Sequence, residues 1–261
     1  MPSAYTHYCF GKEVYRQLPA SLRKEILQGQ SFYKTGLLGP DILFYYRPLS
    51  RHWINRIGYE MHREAAMDFF VPSAGRVRNR KQLAYLMGFI CHFVLDSECH
   101  GFIAEYMKKT GLSHTEIEME WDRFLMLRDG KVPMQYCAAG YLVADQEHAA
   151  VMHAFFPQIP KGRLRKALRS MKSYDRLLNG PGRCKRILIN AVLALTGNYR
   201  QMKGLMISQK ANPDCEESCH RLMELYEEAV PEAVRLIRNY VSAVREGQAL
   251  DPAFSRSFDV E

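Results

Sequence analysis

Apolar residues recur along this chain at spacings of three and four, and no alternation of period two runs for a useful length. That pattern predicts helices and argues against a sheet-based core. Segments 7–18 and 20–28 read as helices, the second opened by Pro19, whose fixed φ suits a helix start. Residues 29–50 carry Gly36, Gly39-Pro40 and Pro48 and read as a long irregular segment, of the kind that often bears function. A helix is expected over 51–70, ending before Pro72. A long one follows over 79–109, where Gly88 allows close packing. Ser113 reads as the N-cap of the next helix, with Glu116 completing a capping box. Further helices are expected at 134–154, 161–178, 183–208 and 213–246, with the tail from Gln248 to Glu261 extended or mobile. The expected fold class is all-α: one multi-helix domain over 1–250, in which 3–120 holds the chemistry and 121–250 is a helical remainder, then a tail over 251–261.

The most apolar stretch is interrupted in an informative way. Tyr85–His100 carries His92, Asp96 and His100 at i, i+4 and i+8. At about 100° per residue these three fall in one narrow stripe of a helix. Each ionisable group left unpaired on a buried helix face costs several kcal/mol to desolvate. A multivalent cation removes that cost, and zinc suits a His/carboxylate set. The plainer alternative is a buried His–Asp hydrogen-bonded pair, with the side chains satisfying one another.

More candidates surround the stripe. His114 and Glu118 form a second i,i+4 pair. Asp41 follows Gly39-Pro40 in a turn, His62 sits in the helix expected over 51–70, and His7 lies near the N-terminus. All eight candidate ligands fall within the first 118 residues. Beyond them the signals are weaker. His148 and His153, five apart, read as a surface and a partly buried His. Cys215, Cys219 and His220 lack a second pair to complete four ligands. Phe44-Tyr45-Tyr46, just after Asp41, can line a lipid or base pocket or can be core.

Charge adds one feature. The chain carries a net +8, and Lys161 to Arg186 alone holds ten Lys/Arg against Asp175. Such a stretch can engage nucleic acid or anionic lipid through phosphates. It can equally be a solvated helix face, since Leu164, Leu168, Met171, Leu177 and Leu178 give it an apolar side. The seven Cys show no secreted-disulfide spacing, and the first 25 residues hold no signal-peptide core. A cytoplasmic protein with mostly buried free thiols is expected. The stretch Leu83–Leu95 has 13 residues, short of the ~20 that a membrane span needs.

Taken together, THYCFGKEVY, LGPDILFYY, YEMHREAAMDFF, LMGFICHFVLDSECHGFI and HTEIE resemble the zinc-dependent phospholipase C family. The resemblance covers roughly residues 3–120. It implies an all-helical fold with a zinc cluster in a cleft, and a more distant similarity to fungal single-strand-specific nucleases. It implies a first zinc on Asp41, His62, His92 and Asp96, a second on His100, His114 and Glu118, and a third on His7 and Asp96, with Asp96 bridging. The family's third zinc also takes the amine and carbonyl of an N-terminal Trp. This chain reads Met1-Pro2-Ser3-Ala4-Tyr5 there, so the cofactor expectation is two to three zinc ions.

The function so implied is hydrolysis of a phosphodiester, phospholipid or soluble, by a zinc-activated hydroxide, with Asp41 as ligand and general base. A nuclease is a variant of the same site, with nucleic acid held through 161–186. From another class, a non-catalytic scaffold could retain a structural zinc cluster with closed coordination. No transmembrane segment is expected, and peripheral membrane contact is compatible with the basic stretch.

Overall fold

The computed structural model describes residues 4–50, 52–179, 206–208 and 210–259, together with 185, 187–189 and 191. In chain order the helices are α1 (Ala4–Gln17), α2 (Ala20–Gln28), α3 (Gln30–Gly36), α4 (Trp53–Arg63), α5 (Ala66–Ala74), α6 (Arg80–Thr110), α7 (His114–Arg128), α8 (Gln146–Phe155), α9 (Lys161–Leu178) and α10 (Glu216–Glu246). Short 3₁₀ turns lie at Gly39–Tyr45, Pro133–Gln135, Pro213–Cys215 and Pro252–Ser255. The fold is all-α, with no strand among the described residues.

Helix α6 is the axis. The Asn79 side chain accepts the N–H of Gln82 at 3.0 Å, and Gly111 ends the helix in the left-handed conformation at φ 73°. Every residue from Leu83 to Asp96 is buried. A helix with no wet face needs neighbours on all sides, and α1, α2, α3, α7, α8 and α10 supply them. The closest approach is that of α3. A Cβ on Gly36 would stand 2.0 Å from the Tyr85 carbonyl oxygen, and one on Gly88 2.1 Å from that of Tyr33. Only hydrogen fits at either position. Opposite, α10 turns an apolar stripe inward through Leu222, Tyr226, Ala229, Ala233, Leu236, Ile237 and Tyr240.

The capping box at Ser113–Glu116 is present as expected. Several expectations need correction. The segment 29–50 is not irregular throughout: Phe32 and Tyr33 bury against the core and draw 30–36 into α3. The helix expected over 51–70 breaks at Glu64 and Ala65, both extended, and α5 then runs through Pro72. The break is where the C-terminal segment docks. The Ala66 N–H donates to the Arg256 carbonyl and the Asp259 N–H donates to the His62 carbonyl, both at 2.8 Å. Of 134–154 only α8 is regular helix; Asp145 caps it by accepting the His148 N–H at 2.8 Å. Most of the helix expected over 183–208 lies outside the described residues.

The tail, expected to be extended or mobile, instead forms a 3₁₀ turn at Pro252–Ser255 and packs on the core as far as Phe258. Phe254 and Phe258 are fully buried, with ring centroids 5.7 and 5.1 Å from that of Phe93. Burying one Phe is worth about 1.5–3 kcal/mol, enough to hold a short segment down. His148 also departs from expectation: it is buried and stacked on Phe32 at 4.2 Å. His153 is half-buried.

Candidate metal centre

Five elements bring the candidate ligands together. The α6 stripe presents His92, Asp96 and His100; α1 brings His7, the Gly39–Tyr45 turn Asp41, α4 His62, and α7 His114 and Glu118. Gly39 has φ 48°, and a Cβ there would lie 2.3 Å from the His92 ring, so glycine both permits the turn and makes room for the imidazole. The first turn of α1 is held from α7. Asp122 accepts the Tyr5 N–H (3.2 Å), the Thr6 N–H (2.8 Å) and the Thr6 hydroxyl (2.6 Å), satisfying donors that a helix start leaves orphaned. Burial pushes the Asp122 carboxyl up to about 7 despite those bonds.

Asp96 is the hub. Its Oδ2 lies 3.0 Å from His92 Nε2 and 3.7 Å from His62 Nε2, and its Oδ1 lies 3.2 Å from His7 Nε2 and 3.6 Å from His100 Nε2. Asp41 Oδ1 stands 3.2 Å from His62 Nε2 and 3.6 Å from His92 Nε2. Glu118 Oε1 stands 3.2 Å from His114 Nε2 and 3.6 Å from His100 Nε2. All these side chains are buried except that of His114, which is about one-third exposed.

The outer nitrogens explain the inner ones. His62 Nδ1 is 2.7 Å from the Gly58 carbonyl and His92 Nδ1 is 3.2 Å from that of Leu37; His100 Nδ1 contacts Asp259. A carbonyl only accepts, so Nδ1 carries the proton in His62 and His92 and Nε2 is left with its lone pair aimed inward. Lone pairs then face carboxylate oxygens at hydrogen-bond range. His92 Nε2 and Asp41 Oδ1 are buried with no hydrogen-bond partner. Such an arrangement needs positive charge between the donors, either protons or a metal ion.

The donor set fits a metal. Zinc ligands at about 2.0–2.2 Å in a tetrahedron stand roughly 3.3–3.6 Å apart, and the separations here run from 3.0 to 3.7 Å. Three groups have donor atoms within 4.8 Å of one another: His7/Asp41/His92, His62/His92/Asp96 and His100/His114/Glu118. The first two share His92. Cys215, Cys219 and His220 form no such group among the described residues.

Without metal, the charges lean on one another. Burial works against the charged imidazoles, but Asp96 raises His7 and His100, and Asp41 raises His62, above the ordinary value. Against the same burial, His92 and His100 hold the Asp96 carboxyl well below its usual range, and His114 does so for Glu118.

The cluster opens into a cavity of about 120 Å³ lined by His7, Asp41, His62, Asp96, His100, His114, Glu118 and Asp259, with Phe44, Tyr59 and Arg63 completing the wall. Phe44 is thus cavity lining, and Tyr46 is core. Among the described residues Arg63 has no carboxylate partner. Trp53, at the other end of α4, is exposed, as is Leu49. Helix α9 lies alongside: the Arg163 guanidinium sits 5.6 Å from the Trp53 ring centroid and Lys166 Nζ 5.7 Å from that of Tyr46.

Asp259 and Asp122 escaped notice in the sequence. Asp259 stands alone in the tail, whereas Asp122, four residues after Glu118, extends the α7 pair to i+8 and was open to notice by the same spacing as the α6 stripe.

A family model described as zinc-dependent phospholipase C matches residues 6–172. The match runs past Glu118 through α8 and most of α9, well beyond the resemblance visible in motifs alone. No curated protein and no solved structure matches.

Proposed function

The chain belongs to the zinc-dependent phospholipase C family, and we propose that it hydrolyses the phosphodiester of a phospholipid at an anionic bilayer surface. The observation that carries the reading is the convergence of the donor cluster on a cavity whose wall also carries aromatic and cationic side chains. At the family level this is a metal-dependent phosphoesterase.

In this reading Asp41, His62, His92 and Asp96 hold one zinc, His100, His114 and Glu118 a second, and His7 with Asp96 a third. Bound zinc supplies Lewis acidity at the phosphoryl oxygens and lowers the pKa of water toward neutrality. Asp41 lines the cavity, and its carboxylate accepts the proton of the attacking water. Arg63 pairs with a non-bridging phosphoryl oxygen at the cavity wall. Phe44 and Tyr59, with ring centroids 4.2 Å apart, exclude water from the mouth. The cavity favours catalysis over a closed structural cluster, because a structural site keeps no room for a reactant.

The choice of lipid rests on the neighbouring face. Exposed Trp53, with Arg163 against its ring, the exposed Leu49 and the cationic Lys166 of α9 supply the mixture that settles at an anionic membrane interface. Nucleic acid would want free ring faces for stacking, and Arg163 occupies one face of Trp53. No helix among the described residues is long and apolar enough to cross a membrane. Free cysteines, five of the six described being buried, support a reducing, cytoplasmic setting.

The test is hydrolysis of vesicles with and without anionic lipid, of a soluble phosphodiester, and of a single-stranded oligonucleotide, by wild type and an Arg163→Glu/Lys166→Glu variant. Zinc-dependent release of a phosphorylated headgroup is expected, about tenfold slower on anionic vesicles for the variant, with soluble turnover unchanged. Cleavage of the oligonucleotide with none of the lipid would overturn the reading.

A further inference from the structure

We propose that Asp259 is a positioning residue of the metal centre, fixing the His100 imidazole so that Nε2 stays turned to Asp96 and Glu118. Asp259 lies in the C-terminal segment, 159 residues from His100 and outside the region that matches the family model. The inference rests on His100, His114 and Glu118 being a metal site.

Three observations carry it. The Asp259 carboxylate contacts His100 Nδ1, the nitrogen that faces away from the cluster. A carboxylate there holds the proton on Nδ1 and makes Nε2 the donor atom, as outer partners of metal-bound histidines generally do. Asp259 is itself held in place: its N–H donates to the His62 carbonyl at 2.8 Å, and the neighbouring Phe258 ring is buried 5.5 Å from the His62 ring centroid. The segment is anchored a second time where Arg256 meets Glu98 of α6 and Glu232 of α10. The backbone therefore brings one carboxylate to one imidazole and leaves it little freedom to move. His62 and His92 have backbone carbonyls in the same role. His100 alone of the three relies on a charged side chain.

The test compares full-length wild type, Asp259→Ala and Asp259→Asn, each loaded with zinc and challenged with a chelator, and each also loaded with cobalt for its visible spectrum. In Asp259→Ala one class of ion should leave about 10–100-fold more readily, with altered cobalt bands, while the remaining ions behave as in wild type. Asp259→Asn keeps an acceptor oxygen and should recover most of the wild-type behaviour. If Asp259→Ala matches wild type in both readouts, the inference is wrong. It is equally wrong if all ions loosen together and the metal-free protein melts lower, because Asp259 is then merely structural. A wild type that binds no metal would overturn the reading of the cluster itself, which separates that failure from this one.

Discussion

His92 Nε2 lies 3.0 Å from Asp96 Oδ2, while the other nitrogen of the same ring is committed to the Leu37 carbonyl at 3.2 Å. With neutral imidazole, two acceptors face each other in a buried site. Such a pair is tolerable only with a cation between its members. Protons and a metal ion would compete for these histidines, so pH should act in opposite senses with and without metal.

Metal-free protein should lose stability as pH rises through neutrality. His7, His62 and His100 have folded values above the ordinary one, so the folded state binds more protons than the unfolded chain. Their contribution is complete below about 6.5 and disappears as pH climbs through the raised values. The lowered values of Asp96 and Glu118 act at the other end: their contribution is present above about 4.5 and is lost as pH falls. With zinc bound the imidazoles are neutral, the unfolded chain takes up protons below about 6.5, and stability should rise with pH there. Urea unfolding across neutral pH, with zinc and with chelator, should give slopes of opposite sign. Parallel slopes would contradict that competition.

Asp96→Ala removes the carboxylate whose two oxygens serve four histidines. Losing metal-based stabilisation worth several kcal/mol should lower kcat/KM on a soluble phosphodiester about 10³-fold or more. In the proposed ligand sets Asp96 serves two ions, so metal content should fall by more than one equivalent. Steady-state kinetics and metal analysis on the same sample check both.

Gly39→Ala places a methyl against the His92 ring at a left-handed φ. The backbone alone should cost about 1–3 kcal/mol, and the displaced ring should weaken metal retention. Denaturant unfolding with a chelator challenge reads both. Unchanged retention would mean that the ring tolerates the displacement.

Asp122→Ala strips the acceptor from the first turn of α1 and leaves the Tyr5 and Thr6 N–H groups buried. The expected loss is about 1–3 kcal/mol of stability, with retention of the ion nearest His7 falling before that of the others. A variant with wild-type stability would show that the α1 start is satisfied by other groups.

What could be read from the sequence was what is local. The α6 stripe was visible because three ionisable side chains four residues apart have no ordinary place on a buried helix. The Ser113–Glu116 box was visible because its two halves are three residues apart. Helix α3 was hidden by Gly36 and Gly39-Pro40, which signal irregularity, while packing of Phe32 and Tyr33 decided the outcome. Asp259 was hidden for the opposite reason, and the i,i+4 spacing of Asp122 from Glu118 gives no sign that it serves α1. Each acts across more than a hundred residues through contacts that no spacing encodes. The one local hint for the tail was the pair of aromatics, Phe254 and Phe258, which a free segment would leave exposed to water.

The most direct measurement is metal content by plasma mass spectrometry on untagged protein purified without chelator, alongside Asp96→Ala and His100→Ala. Two to three equivalents of zinc in wild type, reduced in both variants while each stays folded, is the expected result. Folded wild type carrying no metal, or variants that retain the wild-type content, would contradict a metal centre built on Asp96 and His100.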